Sequence, residues 1–187
     1  MNLLIAGVAL WSVTHLFPAY APGARQALMA RLGEKAYKGM FALVIVAALA
    51  LIVMGWKATL PDFLYAPPTW GRHLTALLVL IAFILFGASH GRNNIRRIVR
   101  HPQLSGVIIW GIGHLLANGE TRSVILFGGL TAWAVLSILL INRRDGARVK
   151  PDPAPVRKDV IAVVAGGVVY AVVAGAHQWL FGFSPFA

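Results

Sequence analysis

The chain has 187 residues, 58% of them hydrophobic and only 12% charged, with a mean hydropathy of +0.73. Soluble domains run near ~45–50% apolar and ~25% charged, so these values exclude an ordinary soluble domain and mark an all-α integral membrane protein. The net charge of +11 points to no nucleic-acid partner, because the basic residues lie between apolar runs. With no cysteine in the chain, disulfides, thiolate ligands and cysteine nucleophiles are excluded.

In chain order, the first apolar run covers about 2–20. Ala19-Tyr20-Ala21 resembles a signal-peptide cleavage site, but no Lys or Arg precedes the run and the basic residues follow it. A retained membrane helix is therefore expected. A polar connection with Arg25, Arg31, Lys35 and Lys38 leads to a second span at about 39–56. A loop with Pro61, Pro67 and Pro68 leads to a third at about 73–90. The fourth, about 103–117, is short and is preceded by Arg96, Arg97, Arg100 and His101-Pro102. Pro102 suits a first helical position, where its missing N–H costs nothing. A tight turn at Gly119 leads to the fifth span, about 122–141. A connection with Pro151, Pro153 and Pro155 then reads as an ordered-to-flexible loop before the sixth span, about 159–182.

Runs of about 20 apolar residues match a hydrocarbon layer of ~30 Å, and in lipid only helices or closed barrels satisfy the backbone. Six transmembrane helices are expected. The connections after spans one, three and five carry 14 Lys and Arg; those after spans two and four carry only Lys57, Arg72 and Arg122. Positive charge favours the cytoplasm, which predicts that both termini face outward. The six acids (Glu34, Asp62, Glu120, Asp145, Asp152, Asp159) all lie in connections or at helix ends.

Of six histidines, His73, His90, His101 and His177 sit near span ends, where a ring reaches water or headgroups. His15 and His114 fall within apolar helices that contain no acid. An ionisable residue at that depth is a functional candidate; the bland alternative is a neutral ring bonded to a backbone carbonyl or to Thr14. The two share a local sequence, GVALWSVTHL from Gly7 and GVIIWGIGHL from Gly106. Four-residue spacing places Gly7, Trp11 and His15 on one helix face, and Gly106, Trp110 and His114 on another. The spans run in opposite directions with three in each half, which suggests a 3+3 inverted repeat. Two neutral imidazoles without a carboxylate or thiol suit a haem iron better than zinc or a hard ion. Gly7, Gly106, Gly113 and Ala117 leave room either for a flat macrocycle or for close helix packing. Trp11 and Trp110 read equally as ring-stacking or plain core residues.

The run Arg100-His101-Pro102-Gln103-Leu104, with Gly106, Trp110 and His114-Leu115-Leu116-Ala117-Asn118-Gly119, resembles the signature of the NnrU family of bacterial membrane proteins. Gly33-Glu34-Lys35-Ala36-Tyr37 with Phe41, Leu126-Phe127-Gly128 and Ala132-Trp133-Ala134 fit as well. The resemblance extends over 1–187 as one membrane domain. It implies a multi-pass protein of the bacterial inner membrane, linked to nitrite and nitric oxide metabolism in denitrification. The plant 15-cis-zeta-carotene isomerase, a haem b enzyme, is similar to this family, and its ligand positions carry over to His15 and His114. It has a cysteine where this chain has Gly111, so a thiol ligand switch is impossible here. Arg100, His101, Pro102 and Gly106 also resemble isoprenylcysteine-type methyltransferases, but the acidic pair those enzymes use is missing after span five. Methyl transfer therefore ranks below haem binding.

The leading expectation is a haem b protein whose iron is held by His15 and His114, with Trp11 and Trp110 beside the ring. Arg96, Arg97 or Arg100 would then meet a propionate or another anionic ligand; positive-inside bias accounts for these arginines without any ligand and is the simpler reading. The partners expected are membrane lipid and a redox partner or nitrogen-oxide reductase machinery. The alternatives are a haem-dependent isomerase of a polyene lipid and a non-enzymatic assembly or transport component. Whether the chain is an enzyme stays open at this level. No span interior carries a carboxylate, which weakens proton-coupled transport.

Overall fold

A computed structural model describes residues 1–185. The described residues are helical, and β structure among them is limited to one isolated bridge, Phe63 to Glu120. Besides a single turn at Ile95–Ile98, the helices are α1 (Asn2–Tyr20), α2 (Pro22–Leu32), α3 (Glu34–Ala58), α4 (Gly71–Ala88), α5 (Pro102–Ala117), α6 (Thr121–Asp145) and α7 (Val156–Phe181). Five of them, α1, α3, α4, α6 and α7, are long and apolar enough to cross a membrane; α5 is shorter. Side chains such as Leu43 (72% exposed) and Val172 (64%) point outward from α3 and α7. Continuous outward apolar surface of this kind belongs in lipid rather than water.

Helices occupy the six predicted stretches to within about five residues, five of them long enough to cross a membrane, and the connection after α1 is itself helical. Pro22 opens α2, and the Ala, Arg, Gln, Leu and Met residues that follow are strong helix formers. The helix ends at Gly33, whose φ of 81° is one that a side chain disfavours. Hydropathy alone does not see such a helix, because none of its residues is buried.

The chain divides into two compact units that interleave along the sequence instead of following its halves. The first (Met1–Tyr65 and Gly119–Gly146) contains α1, α2, α3 and α6. Here α1 packs on both α3 and α6, around Leu4, Val8 and Ile52 with Trp11, Trp56, Ile125 and Leu126. A Cβ on Gly7 would stand 2.7 Å from the Ile52 backbone nitrogen. The α1–α3 crossing is thus closed at that glycine. At one end of this unit, Arg122 ties three elements. It pairs with Glu120 at 2.7 Å, donates to the Thr59 carbonyl at 3.2 Å and lies 4.5 Å from the Trp56 ring centre. Next to it, α6 contains a π-helical turn at Val124–Gly128.

The second unit (Ala66–Asn118 and the chain from Ala147) contains α4, α5 and α7, and here α4 packs on both others. A Cβ on Gly106 would meet the Phe86 ring at 2.6 Å and the Ala82 carbonyl at 3.0 Å. The Thr75 hydroxyl reaches the Gly113 carbonyl at 2.6 Å across the α4–α5 contact. The proline-bearing connection, expected to loosen along its length, is held down. The Asp159 carboxylate accepts from the Asn94 backbone and side-chain N–H groups, both at 2.6 Å. Arg97 donates to the Pro151 carbonyl, and Arg148 to the carbonyls of Arg96 and Ile98. Three prolines restrict this stretch, and side chains supply the hydrogen bonds that its backbone cannot form as regular structure.

Candidate functional site

In the first unit, α1 sets Trp11 and His15 one turn apart. The His15 Nδ1 lies 2.9 Å from the Trp11 carbonyl oxygen. A carbonyl only accepts, so in the neutral ring Nδ1 carries the proton and Nε2 the lone pair. Hydrogen bonds of this kind hold metal-binding histidines in one tautomer and orientation. The imidazole sits in a box of rings from three helices. Trp11 stacks at 4.1 Å between centres, Trp133 of α6 meets it edge-on at 5.3 Å, and Phe41 of α3 edge-on at 5.8 Å. Tyr37 flanks Phe41 at 6.2 Å.

Five polar atoms on these same helices are buried without a hydrogen-bond partner among the described residues: Trp11 Nε1, Trp133 Nε1, Tyr37 Oη, Ser123 Oγ and Ser137 Oγ. Three of the five belong to the rings around His15 or beside Phe41. Each buried unmet group costs about 1–3 kcal/mol, and native structures leave few of them. Their clustering fits a polar or coordinating group at His15. Sequence reasoning singled out Trp11 and His15 and missed Trp133, Phe41 and Tyr37. The signal was there in Ala132-Trp133-Ala134, an aromatic flanked by small residues in an otherwise aliphatic span.

In the second unit, His114 repeats the bond: its Nδ1 lies 2.8 Å from the Trp110 carbonyl, with the two rings 4.8 Å apart. The Asn118 amide donates to the His114 carbonyl at 2.8 Å and closes the end of α5. His177 of α7, expected to be an ordinary span-end residue, belongs to the same unit as His114. Its own Nδ1 lies 2.8 Å from the Phe183 carbonyl, and its ring packs against Phe181 and Phe183. Arg100 is half-buried just before α5. Arg96 and Arg97 direct their guanidinium groups to the carbonyls of Gly91 and Pro151.

The structure therefore joins Trp11 to His15 within one unit and Trp110 to His114 within the other. The glycines next to them are filled by neighbouring helices: Gly7 by α3, Gly106 and Gly113 by α4. Of the two uses open to these small residues, close packing is the one observed. The repeat is local, since α1 is the central helix of its unit while α5 lies at one side of α4. No group of three or more His, Asp or Glu able to hold a metal ion occurs among the described residues. The donor set on offer is imidazole nitrogen alone, of the kind haem iron accepts.

Neither a curated protein nor a solved structure matches the chain. The family model described as "NnrU protein" matches residues 3–185, nearly the whole length, and the chain belongs to that family.

Proposed function

We propose that this protein is a six-span component of the bacterial cytoplasmic membrane, with both termini outward, that binds haem b through histidine and serves nitrite and nitric oxide metabolism. His15 and His114 are the ligand candidates. The observation that carries this reading is the matched pair of Nδ1–H bonds to the carbonyls of Trp11 and Trp110. Each bond leaves Nε2 as the basic nitrogen of a ring held in apolar surroundings. The unpartnered indole and phenol groups around His15 support it. Bound haem would supply one-electron chemistry or capture of a small gas; the chain's residues would orient the imidazoles and exclude water. The 16-residue α5 is about 24 Å long at ~1.5 Å per residue, and thinning of the bilayer beside it lets it cross.

The test is an absorption spectrum of protein purified in mild detergent after expression with haem supply. A Soret band that shifts or vanishes in His15→Ala and His114→Ala is expected. Absence of the band, or a band unchanged in both variants, overturns the proposal. Turnover of a cis-polyene by the reduced wild-type protein would instead support isomerase activity.

A further inference from the structure

The first unit contains a cleft of about 220 Å³ lined by Pro18, Arg25, Tyr37, Lys38 and Phe41. These residues come from α1, α2 and α3. Pro18 lies one turn beyond His15, and Phe41 is the ring that meets His15 edge-on. The cleft therefore begins one side chain away from the imidazole. Its polar end is cationic. The Arg25 guanidinium lies 5.8 Å from the Tyr37 ring centre and itself makes no hydrogen bond among the described residues. Lys38 is exposed and pairs with Glu34 at 2.6 Å, and Glu34 also lies within electrostatic reach of Arg25. The three side chains leave one positive charge in excess. Tyr37, only 5% exposed, is one of the lining residues, and its unpartnered hydroxyl is buried away from the open cleft. The rest of the lining is apolar.

We propose that this cleft binds the oxyanion end of a membrane-dissolved amphiphile, a carboxylate or phosphate held by Arg25 and Lys38, with the apolar body running over the Tyr37 ring, Pro18 and Phe41 towards His15. A guanidinium fork suits an oxyanion through paired N–H donors. Positive-inside bias explains the cations, but it does not explain the aromatic path to the histidine. This inference stands whether or not haem is the native ligand. Fatty acids, anionic phospholipids and haem propionates all carry the same chemistry, and the probes below separate them.

The experiment titrates detergent-purified protein with 9,10-dibromostearate, brominated phosphatidylglycerol and brominated phosphatidylcholine, following tryptophan quenching, and with haemin, following its absorption. Trp11 and Trp133, on either side of His15, are the reporters, and Trp133→Phe assigns the signal. At least one anionic probe should bind saturably, and about tenfold more weakly in Arg25→Gln and Lys38→Gln, as expected for loss of a charge-assisted bond. The probe that does so identifies the source. Lys38→Gln alters an exposed residue, so it remains informative if Arg25→Gln does not fold. Equal quenching by phosphatidylcholine, no saturable binding of any anionic probe, or unchanged affinity in monodisperse variants overturns the proposal.

Discussion

The imidazole of His15 is hydrogen-bonded to the carbonyl of Trp11, one turn earlier on the same helix, and stacked 4.1 Å from the indole of that same residue. One residue thus fixes both the tautomer and the tilt of the ring. The backbone bond survives any substitution at position 11, whereas the stacking and the unpartnered indole N–H do not. Trp11→Phe should leave the ligand-free fold intact by circular dichroism, because it removes a buried donor that has no acceptor. The same variant should bind haem measurably more weakly in a Soret titration. An unchanged haem affinity would assign Trp11 to packing alone.

Ser137 tests the unpartnered cluster from the other direction. It is 5% exposed and its hydroxyl has no partner, while the Ser12 hydroxyl bonds to the Val8 carbonyl at 2.7 Å. Both serines are helical, so Ala substitution brings the same propensity gain at each. Ser137→Ala should stabilise the ligand-free protein by about 1 kcal/mol more than Ser12→Ala, read from thermal midpoints in one detergent. Equal effects would mean that the Ser137 hydroxyl is satisfied after all.

The close crossings give a graded series of glycine variants. At Gly7 a new methyl meets backbone of α3, which cannot turn aside; at Gly106 its nearest obstacle is the Phe86 ring, which can. At Gly39 nothing stands within 4 Å. Gly7→Ala should therefore cost about 1–3 kcal/mol through overpacking, and Gly106→Ala less. Gly39→Ala should gain up to about 1 kcal/mol from helix propensity. Thermal denaturation followed by circular dichroism ranks the three.

Much of this fold was readable in the sequence, because in a membrane the length and continuity of apolar runs nearly determine the helices. What hydropathy could not supply was partnership. Nothing in the spacing says that α6 packs on α1 and α7 on α4, so the two compact units could not be told from chain halves. The Gly-Trp-His repeat was real as local geometry, down to the same Nδ1 bond in both helices. It failed to predict architecture because the helices carrying it have different neighbours. At the site, residues on the histidine's own helix followed from a four-residue period. Trp133 and Phe41 arrive from other helices and needed coordinates. Asn94 and Asp159, 65 positions apart, were likewise invisible until folded.

That Asn94–Asp159 contact predicts how the connection between α6 and α7 behaves. Asn94 also accepts from the Ala154 N–H at 2.9 Å and donates to the Ala154 carbonyl at 2.7 Å, so one side chain holds the stretch to the turn after α4. Asn94→Ala should speed tryptic cleavage after Arg148 several-fold in limited proteolysis, with no loss of helicity; Lys150 precedes Pro151 and is no tryptic site. Arg148→Gln should act in the same direction on elastase cleavage after Val149, since it removes the bonds to Arg96 and Ile98. Cleavage at the wild-type rate in both would mean that the connection is held elsewhere.

Whether α5 crosses the membrane decides the topology, and the lack of native cysteine makes this directly measurable. Single cysteines placed at Gln26, Thr69, Arg92 and Lys150, all exposed, can be challenged in intact cells with a membrane-impermeant maleimide. Six crossings with outward termini place Thr69 outside and Gln26, Arg92 and Lys150 inside. Only the Thr69→Cys variant should then label before the cells are opened. If α5 turned back without crossing, the chain beyond it would invert while the first three spans stayed as they are. Lys150→Cys would become reactive from outside, with Gln26→Cys and Arg92→Cys still protected. That pattern would also place the six Lys and Arg residues from Arg143 to Lys158 on the outer face, against the charge bias that governs the rest of the chain. The Lys150 position therefore separates five crossings from six.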